Sequence, residues 1–404
     1  MSAVPKLRFP EFDGEWSLQS LGAVSEKPFY GMNSEATSYD GYNKYIRITD
    51  IDDTTRKFGA SAITSPAGGP DKRYKLGEGD IVFARTGASV GKSYLYNKDD
   101  GDLFFAGFLI KFHIQKAYPK FVFFYTLTSQ YGRWVIVNSA RSGQPGINAE
   151  EYKSLEIPSP SPPEQQKIAS FLSSVDKKID LMRQKKDALE LYKKGLMQKI
   201  FSQEIRFKQD DGSDFPDWEE MALSEIAKRS TEKNKDLELT LVLTNSAVQG
   251  VVVQTEYFDK SIANEASISG YYKVRKSDFV YNPRISSAAP VGPISQNMKD
   301  DGVMSPLYTV FRAGEPYQRF LNVYFKSSVW FDYMRSIANQ GARHDRMNIT
   351  TSDFMALPID LPCAREREKI ASFLSSIDVK IQHTSSQIQQ METVKKGLLQ
   401  QMFV

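Results

Sequence analysis

Two stretches of the chain carry a regular apolar rhythm, and the rest does not. Steps of four and then three residues from Ile168 meet Ile168, Leu172, Val175, Ile179, Met182, Lys186, Leu189, Lys193, Leu196 and Ile200. The same steps from Ile370 meet Ile370, Leu374, Ile377, Ile381, Thr384, Ile388, Met391, Lys395, Leu398 and Met402. Eight of ten positions are apolar in each series, and a 4-3 spacing sustained this far predicts two long helices with coiled-coil seams. Pro162 and Pro163 followed by Glu164, and Pro362 followed by Glu366, suit helix starts: proline is tolerated in a first turn and an acid suits the positive end of the dipole. At 1.5 Å per residue each helix should run about 55–60 Å. That overshoots a ~150-residue globule with a radius of gyration of roughly 15 Å, so each helix needs a partner, and the obvious one is its twin. They can pair in either direction. One antiparallel register sets Lys186 opposite Thr384; alternatively, Lys186 reaches outward along its own stem.

The twin is literal. EQQKIASFLSSVDKKI, Glu164 to Ile179, returns as EREKIASFLSSIDVKI, Glu366 to Ile381, with twelve of sixteen positions identical at an offset of 202. KKGLMQ from Lys193 returns as KKGLLQ from Lys395, Trp16 as Trp218 and Leu21 as Leu223, all at that offset. In a chain of 404 residues this makes two tandem copies of one unit. Between these points the resemblance is uneven. YKLGEGDIVF from Tyr74 is echoed by YKVRKSDFVY from Tyr272, and YPKFVFFY from Tyr118 by YQRFLNVY from Tyr317. Elsewhere the copies diverge, as a shared scaffold with two recognition surfaces would, and as drifting surface loops would too.

The non-periodic segments read as mixed α/β. Strands are expected at Tyr45–Thr49, Asp80–Ala84, Ser93–Tyr96 and Phe108–Ile114. In the second copy they are expected at Leu239–Leu243, Gly250–Gln254, Asp278–Asn282 and Leu307–Phe311. The aromatic stretches Lys120–Tyr131 and Arg319–Arg335 are expected to be helical. The division is therefore a first mixed domain over 1–160, a first long helix over 161–205, a second mixed domain over 206–362 and a second long helix over 363–404. The fold class is α+β.

Composition narrows the chemistry. With 41% hydrophobic residues the chain can build cores. Its 52 Lys+Arg against 49 Asp+Glu leave a net charge of +3, which excludes a polycation but permits a local basic face. One cysteine, Cys363, excludes an internal disulfide framework, and with three histidines it argues against a Cys/His zinc site. MSAVPKLRFPEF lacks the apolar core of a signal peptide, and no apolar run is long enough to span a bilayer. A cytoplasmic protein without a membrane partner is expected.

Three stretches imitate catalytic motifs. TGASVGKS, Thr86 to Ser93, resembles a phosphate loop, but Gly87 and Gly91 enclose three residues where that loop has four. The same glycines with Ser89 match a nucleophile elbow, which would make the chain a hydrolase dependent on Ser89. Both motifs require a helix to follow, and KSYLY reads as a second strand, hence a hairpin. Asn282-Pro283-Arg284 lacks the second proline and the aromatic of an amino-methyltransferase motif. No catalytic residue, metal ligand or resident cofactor is assigned. What remains is four polar loops with side chains suited to DNA: Arg85, Thr86, Ser89 and Lys92; Arg141 and Gln144; Arg284 and Ser286; and Arg343, His344 and Arg346. Arginine matches guanine edges, glutamine matches adenine, and lysine and serine match phosphate. Solvated loops of no function share this composition.

The tandem halves, the segment INAEEYKSLEIPSPSPPEQQKIASFLSSVDKKID, its second copy and the turn RTGASVGK together resemble the specificity subunit of Type I restriction-modification enzymes, across essentially the whole chain. The resemblance implies two target recognition domains related by a pseudo-two-fold axis, each reading one half of a bipartite site in double-stranded DNA. It implies an antiparallel coiled coil that sets the spacing, and no catalytic centre. It further implies docking of two methyltransferase subunits that use S-adenosylmethionine to methylate adenine, joined by motor-nuclease subunits that use ATP and Mg. The second copy departs from the pattern, with CAREREKI for a proline-led Glu-Gln run and ARHDRMNI for a GQPGIN-like turn. A coiled-coil adaptor presenting two different protein-binding domains is the other reading of the same architecture.

Overall fold

The computed structural model describes residues 4–59, 62–140, 143–257, 268–338 and 345–403. The chain forms two compact units, Met1–Arg183 with Ser386–Val404, and Gln184–Ser385. The division falls inside the long helices, so each unit is a mixed domain with a segment of both helices packed on it.

The first unit is built on a four-stranded antiparallel sheet in the order Phe29–Tyr30, Leu109–His113, Asp80–Ala84, Ser93–Leu95. The central strand is buried along its whole length, which explains its unbroken apolar run: both faces of the sheet are covered. Successive side chains alternate between two cores. Ile81, Phe83, Ile110 and Phe112 join the helices Pro119–Tyr125 and Ser129–Ser139, along with Ile168, Leu172, Leu399, Met402 and Phe403 from the long helices and the C-terminal end. Val82, Ala84 and Leu109 face Ile46, Tyr94, Leu103 and Phe105 instead.

The second unit repeats this design. Its sheet runs Ala227–Ser230, Thr309–Ala313, Phe279–Tyr281, Ile294–Gln296. Phe279, Tyr281, Phe311 and Ala313 face the core that takes in the long helices, and Val280 and Val310 face the other. The outer strands match as well. Leu103–Phe105 runs parallel to Lys44–Ile46 and meets Lys75 in an antiparallel bridge. Gly302–Met304 runs antiparallel to Tyr272–Val274, and its Val303 meets Val242 in a parallel bridge. The Tyr74 and Tyr272 echoes thus occupy one position in two copies of one topology.

Two expectations need correction. Leu239–Leu243 is not a strand; the strand is Leu243–Ser246. Asn234 brackets Leu239, accepting from its N–H at 3.1 Å and donating to its carbonyl at 2.8 Å, which folds that segment into a loop. Each aromatic stretch also breaks into two helices, Pro119–Tyr125 and Ser129–Ser139 in one unit and Glu315–Tyr324 and Phe331–Ser336 in the other. Hydroxyls mark the breaks: Thr126 and Ser327 donate to carbonyls three residues back, and Thr128 caps the next helix by accepting from Tyr131 N–H.

The long helices span Pro162–Phe201 and Ala364–Met402. Every apolar seam residue named above is buried or half-buried. Within the first unit Asp176 pairs with Lys395 at 2.6 Å and Arg183 with Glu392 at 2.5 Å. The partner's number falls as the residue's rises, so these segments run antiparallel. Within the second unit Lys193 pairs with Asp378 at 2.6 Å, and Met197, Ile200 and Phe201 share a core with Ile370, Leu374 and Ile377, again antiparallel. Burial of Lys193 pulls its ammonium below the ordinary lysine value, and Asp378 opposes that shift. Counted from the Lys193–Asp378 pair, the antiparallel register brings Lys186 level with Thr384, but each bonds along its own helix: the Lys186 ammonium reaches Glu190 at 3.0 Å, and the Thr384 hydroxyl donates to Lys380 C=O.

Each helix start is clasped. Glu164 is almost fully buried and accepts from Arg8 Nε and Nη2, both at 2.8 Å, and from Trp16 Nε1 at 3.3 Å. Glu366 accepts from Arg206 Nε at 3.3 Å and Nη2 at 2.8 Å, and from Trp218 Nε1 at 3.0 Å. The repeated Trp16 and Trp218 thus place their indoles on equivalent carboxylates.

Candidate nucleic-acid interface

The four loops chosen from composition come together in pairs, one pair in each unit. In the first unit the turn after Asp80–Ala84 lies against the segment that leads into the short helix Ala149–Lys153. Ile147 N–H donates to Arg85 C=O at 2.9 Å, Gly87 N–H donates to Pro145 C=O at 3.0 Å, and Thr86 bridges Gly146. In the second unit the turn after Phe279–Tyr281 lies against the segment leading into Thr351–Met355. Ile285 N–H donates to Asp345 C=O at 3.0 Å, Met347 N–H to Pro283 C=O at 2.8 Å, and Arg284 bridges Arg346. Arg85, Thr86, Ser89 and Gln144 therefore form one cluster, and Arg284, Ser286 and Arg346 another. Arg141, Arg343 and His344 lie outside the described residues.

The first turn is stiff. It returns directly into the strand Ser93–Leu95, so the RTGASVGK stretch runs strand to strand and not strand to helix. Tyr152 donates to Ala84 C=O and Tyr131 to Gly91 C=O, both at 2.8 Å, pinning its two ends. Burial raises both phenols above the ordinary tyrosine value. Gly91 has φ +83°, and a Cβ there would stand 2.6 Å from Val135, so glycine is required on two counts. Gly292 in the second turn has φ +81°, and its Cβ would meet Asn282 C=O at 2.1 Å.

Within this frame the side chains differ in availability. Lys92 is not placed to grip a phosphate: its side chain is 8% exposed, paired with Asp53 at 2.6 Å and donating to Ile51 C=O at 3.1 Å. Strand pairing turned it inward, where it holds Asp53 below the ordinary carboxylate value. Arg85 is half-buried, with its guanidinium carbon 5.2 Å from the centre of the Tyr30 ring. Thr86 and Ser89 are half-buried and Gln144 is exposed, its amide 3.1 Å from where a Cβ on Gly87 would lie. Arg284 and Ser286 are exposed; the Ser286 hydroxyl accepts from Ala289 N–H. Arg346 is mostly covered and lies 3.6 Å from Asp345.

Two residues beside the first cluster carry no motif and were not anticipated. Tyr30 and Phe108, 40% and 55% exposed, line a cavity of about 730 Å³ together with Arg85. Tyr30 reaches this place because Phe29–Tyr30 pairs with Ile110–Lys111, which no local pattern announces.

Comparison with known proteins agrees with this architecture. The family described as the Type I restriction modification DNA specificity domain matches residues 16–191. The MjaVIII Type I restriction enzyme specificity subunit of Methanocaldococcus jannaschii is 24% identical, over 97% of this chain and 92% of its own length. Residues 16–191 thus match the specificity-domain family, and the chain is similar over nearly its whole length to a Type I restriction enzyme specificity subunit. The putative MjaX specificity subunit of the same organism is 23% identical, over 98% of this chain and 94% of its own length. In fold, the chain is similar to the crystal structure of a Type I restriction-modification S subunit from M. genitalium, with a TM-score of 0.56, 14% identity and 99% coverage of both chains. A chain from a structure titled for assembly and conformational transition of the type I R-M system aligns with a TM-score of 0.53 and 15% identity, over 95% of this chain and 96% of that one. The matched stretch stops within the first long helix; beyond it, the sequence repeats at an offset of 202. Among the described residues no helix is long and apolar enough to cross a membrane.

Proposed function

We propose that this chain is the DNA-reading subunit of a Type I restriction-modification complex, with each unit recognising one half of a split, asymmetric sequence. The observation that carries this reading is a common scaffold bearing two loop clusters of different side chains. A single sheet topology positions Arg85, Thr86, Ser89 and Gln144 in one unit and Arg284, Ser286 and Arg346 in the other. The long helices set the separation between the halves, much as dimer geometry sets half-site spacing in other readers. Catalysis belongs to the partners: two methyltransferase subunits docked on this chain modify adenine from S-adenosylmethionine, and motor-nuclease subunits use ATP and Mg. A net charge of +3 suits a subunit whose partners supply part of the phosphate grip.

Exchange of residues 206–360 for the corresponding domain of another family member tests the reading. Methylation sequencing of the assembled complex should show one half of the target altered and the other retained. If both halves change, the units are not independent readers.

A further inference from the structure

Tyr30 joins the two paired loops of the first unit. Its hydroxyl accepts from the N–H of Ala149, the first residue of the short helix, at 3.1 Å. Its ring lies against the Arg85 guanidinium. No ion pair forms on Arg85 among the described residues. Of its three side-chain nitrogens, only Nε is shut off from solvent without a hydrogen bond. The adjoining cavity of about 730 Å³ is lined by Tyr30, Asn33, Arg47, Thr49, Arg85 and Phe108. Its other cation is already committed, since Arg47 Nε and Nη2 donate to Asp50 at 2.8 Å each. Arg85 thus offers a flat, uncommitted fork on a fixed aromatic support.

A guanidinium held this way loses little side-chain freedom on binding, and its parallel donors match a pair of adjacent acceptors. In the major groove that pair is guanine O6 and N7. We propose that Arg85 reads a guanine edge in the half-site of the first unit, with Tyr30 as its positioning residue. This rests on the DNA-reading function above and goes beyond it in naming the base and the support.

The test uses the complex assembled with its methyltransferase subunits and duplexes varied one position at a time. The relevant half-site is the one retained on exchange of residues 206–360. Arg85→Lys should lose preference for guanine at one position by about five- to a hundredfold. Tyr30→Leu should weaken the same preference about two- to fivefold, whereas Tyr30→Phe, which keeps the ring, should preserve it. If Tyr30→Leu does not assemble, Arg85→Lys and Tyr30→Phe still decide the matter. Uniform weakening across all sequences would mark Arg85 as a phosphate contact and overturn the proposal. So would loss of preference at a base other than guanine, or at different positions in the two variants. A wild-type complex with no sequence preference would overturn the DNA-reading function itself and this proposal with it.

Discussion

The two units are most alike where their backbones are buried and least alike where they turn toward solvent. Asp80 opens its central strand and Asp278 immediately precedes the strand Phe279–Tyr281; both are buried, each accepting from a backbone N–H three residues back, Gly77 or Arg275. Their side-chain partners differ. Asp80 faces His113 at 2.9 Å and Lys111 at 3.5 Å, while Asp278 takes two bonds from Arg312 at 2.7 and 3.0 Å. The turns that follow differ more. The bond from Ala84 N–H to Lys92 C=O closes the first, and that from Asn282 N–H to Pro293 C=O closes the second, which spans three more residues. The first turn holds its arginine against Tyr30; the second leaves Arg284 in solvent. The lesson is that one set of strand pairings tolerates turns of different length and chemistry, because the ladder and the cores, not the turns, hold each unit together.

The largest effects should therefore come from features the units share. Glu164→Ala and Glu366→Ala each leave a largely buried arginine without its carboxylate. Each should cost about 3 kcal/mol, read as a lowered midpoint in chemical denaturation of the full chain. Similar losses in both would sharpen the equivalence. A neutral result in one unit and collapse in the other would break it.

Differences should appear at the turns. Arg85→Ala should reduce base discrimination by about 1–3 kcal/mol. Arg284→Ala should cost roughly 0.5–1.5 kcal/mol less, because an exposed, unsupported guanidinium must be immobilised on binding. Relative methylation of single-base variants of each half-site measures both. Equal losses would show that the aromatic support contributes nothing.

The smallest effect should lie in the helices. Lys193–Asp378 and Lys395–Asp176 are one pair repeated at the 202-residue offset, with lysine side chains 11% and 18% exposed and aspartates 38% and 31%. With the carboxylates this open to water, double-mutant cycles should give about 0.5–1 kcal/mol of coupling in each unit. Coupling near zero in one alone would mean that the repeat of sequence is not a repeat of energetics.

What the sequence determined by itself was whatever local periodicity encodes. The 4-3 rhythm marked both long helices to within a few residues, the run Asp80–Ala84 marked a strand, and the offset of 202 marked two copies of one fold. Residue type alone also picked out loops that the fold brings together in pairs, one pair in each unit. Which of those side chains stay available was decided only by tertiary structure. Lys92 reads like Arg85 in sequence, yet one is turned inward to Ile51 C=O and Asp53 while Tyr30 props the other beside a cavity. Lys186 and Lys193 both interrupt the apolar seam, yet one bonds along its own helix and the other across to Asp378. Apart from Lys186, whose partner Glu190 is one helical turn on, each outcome depends on a partner tens or hundreds of residues away, brought near by strand and helix pairing. A charged side chain is steered by whatever counter-charge the fold sets beside it, and no local pattern carries that information.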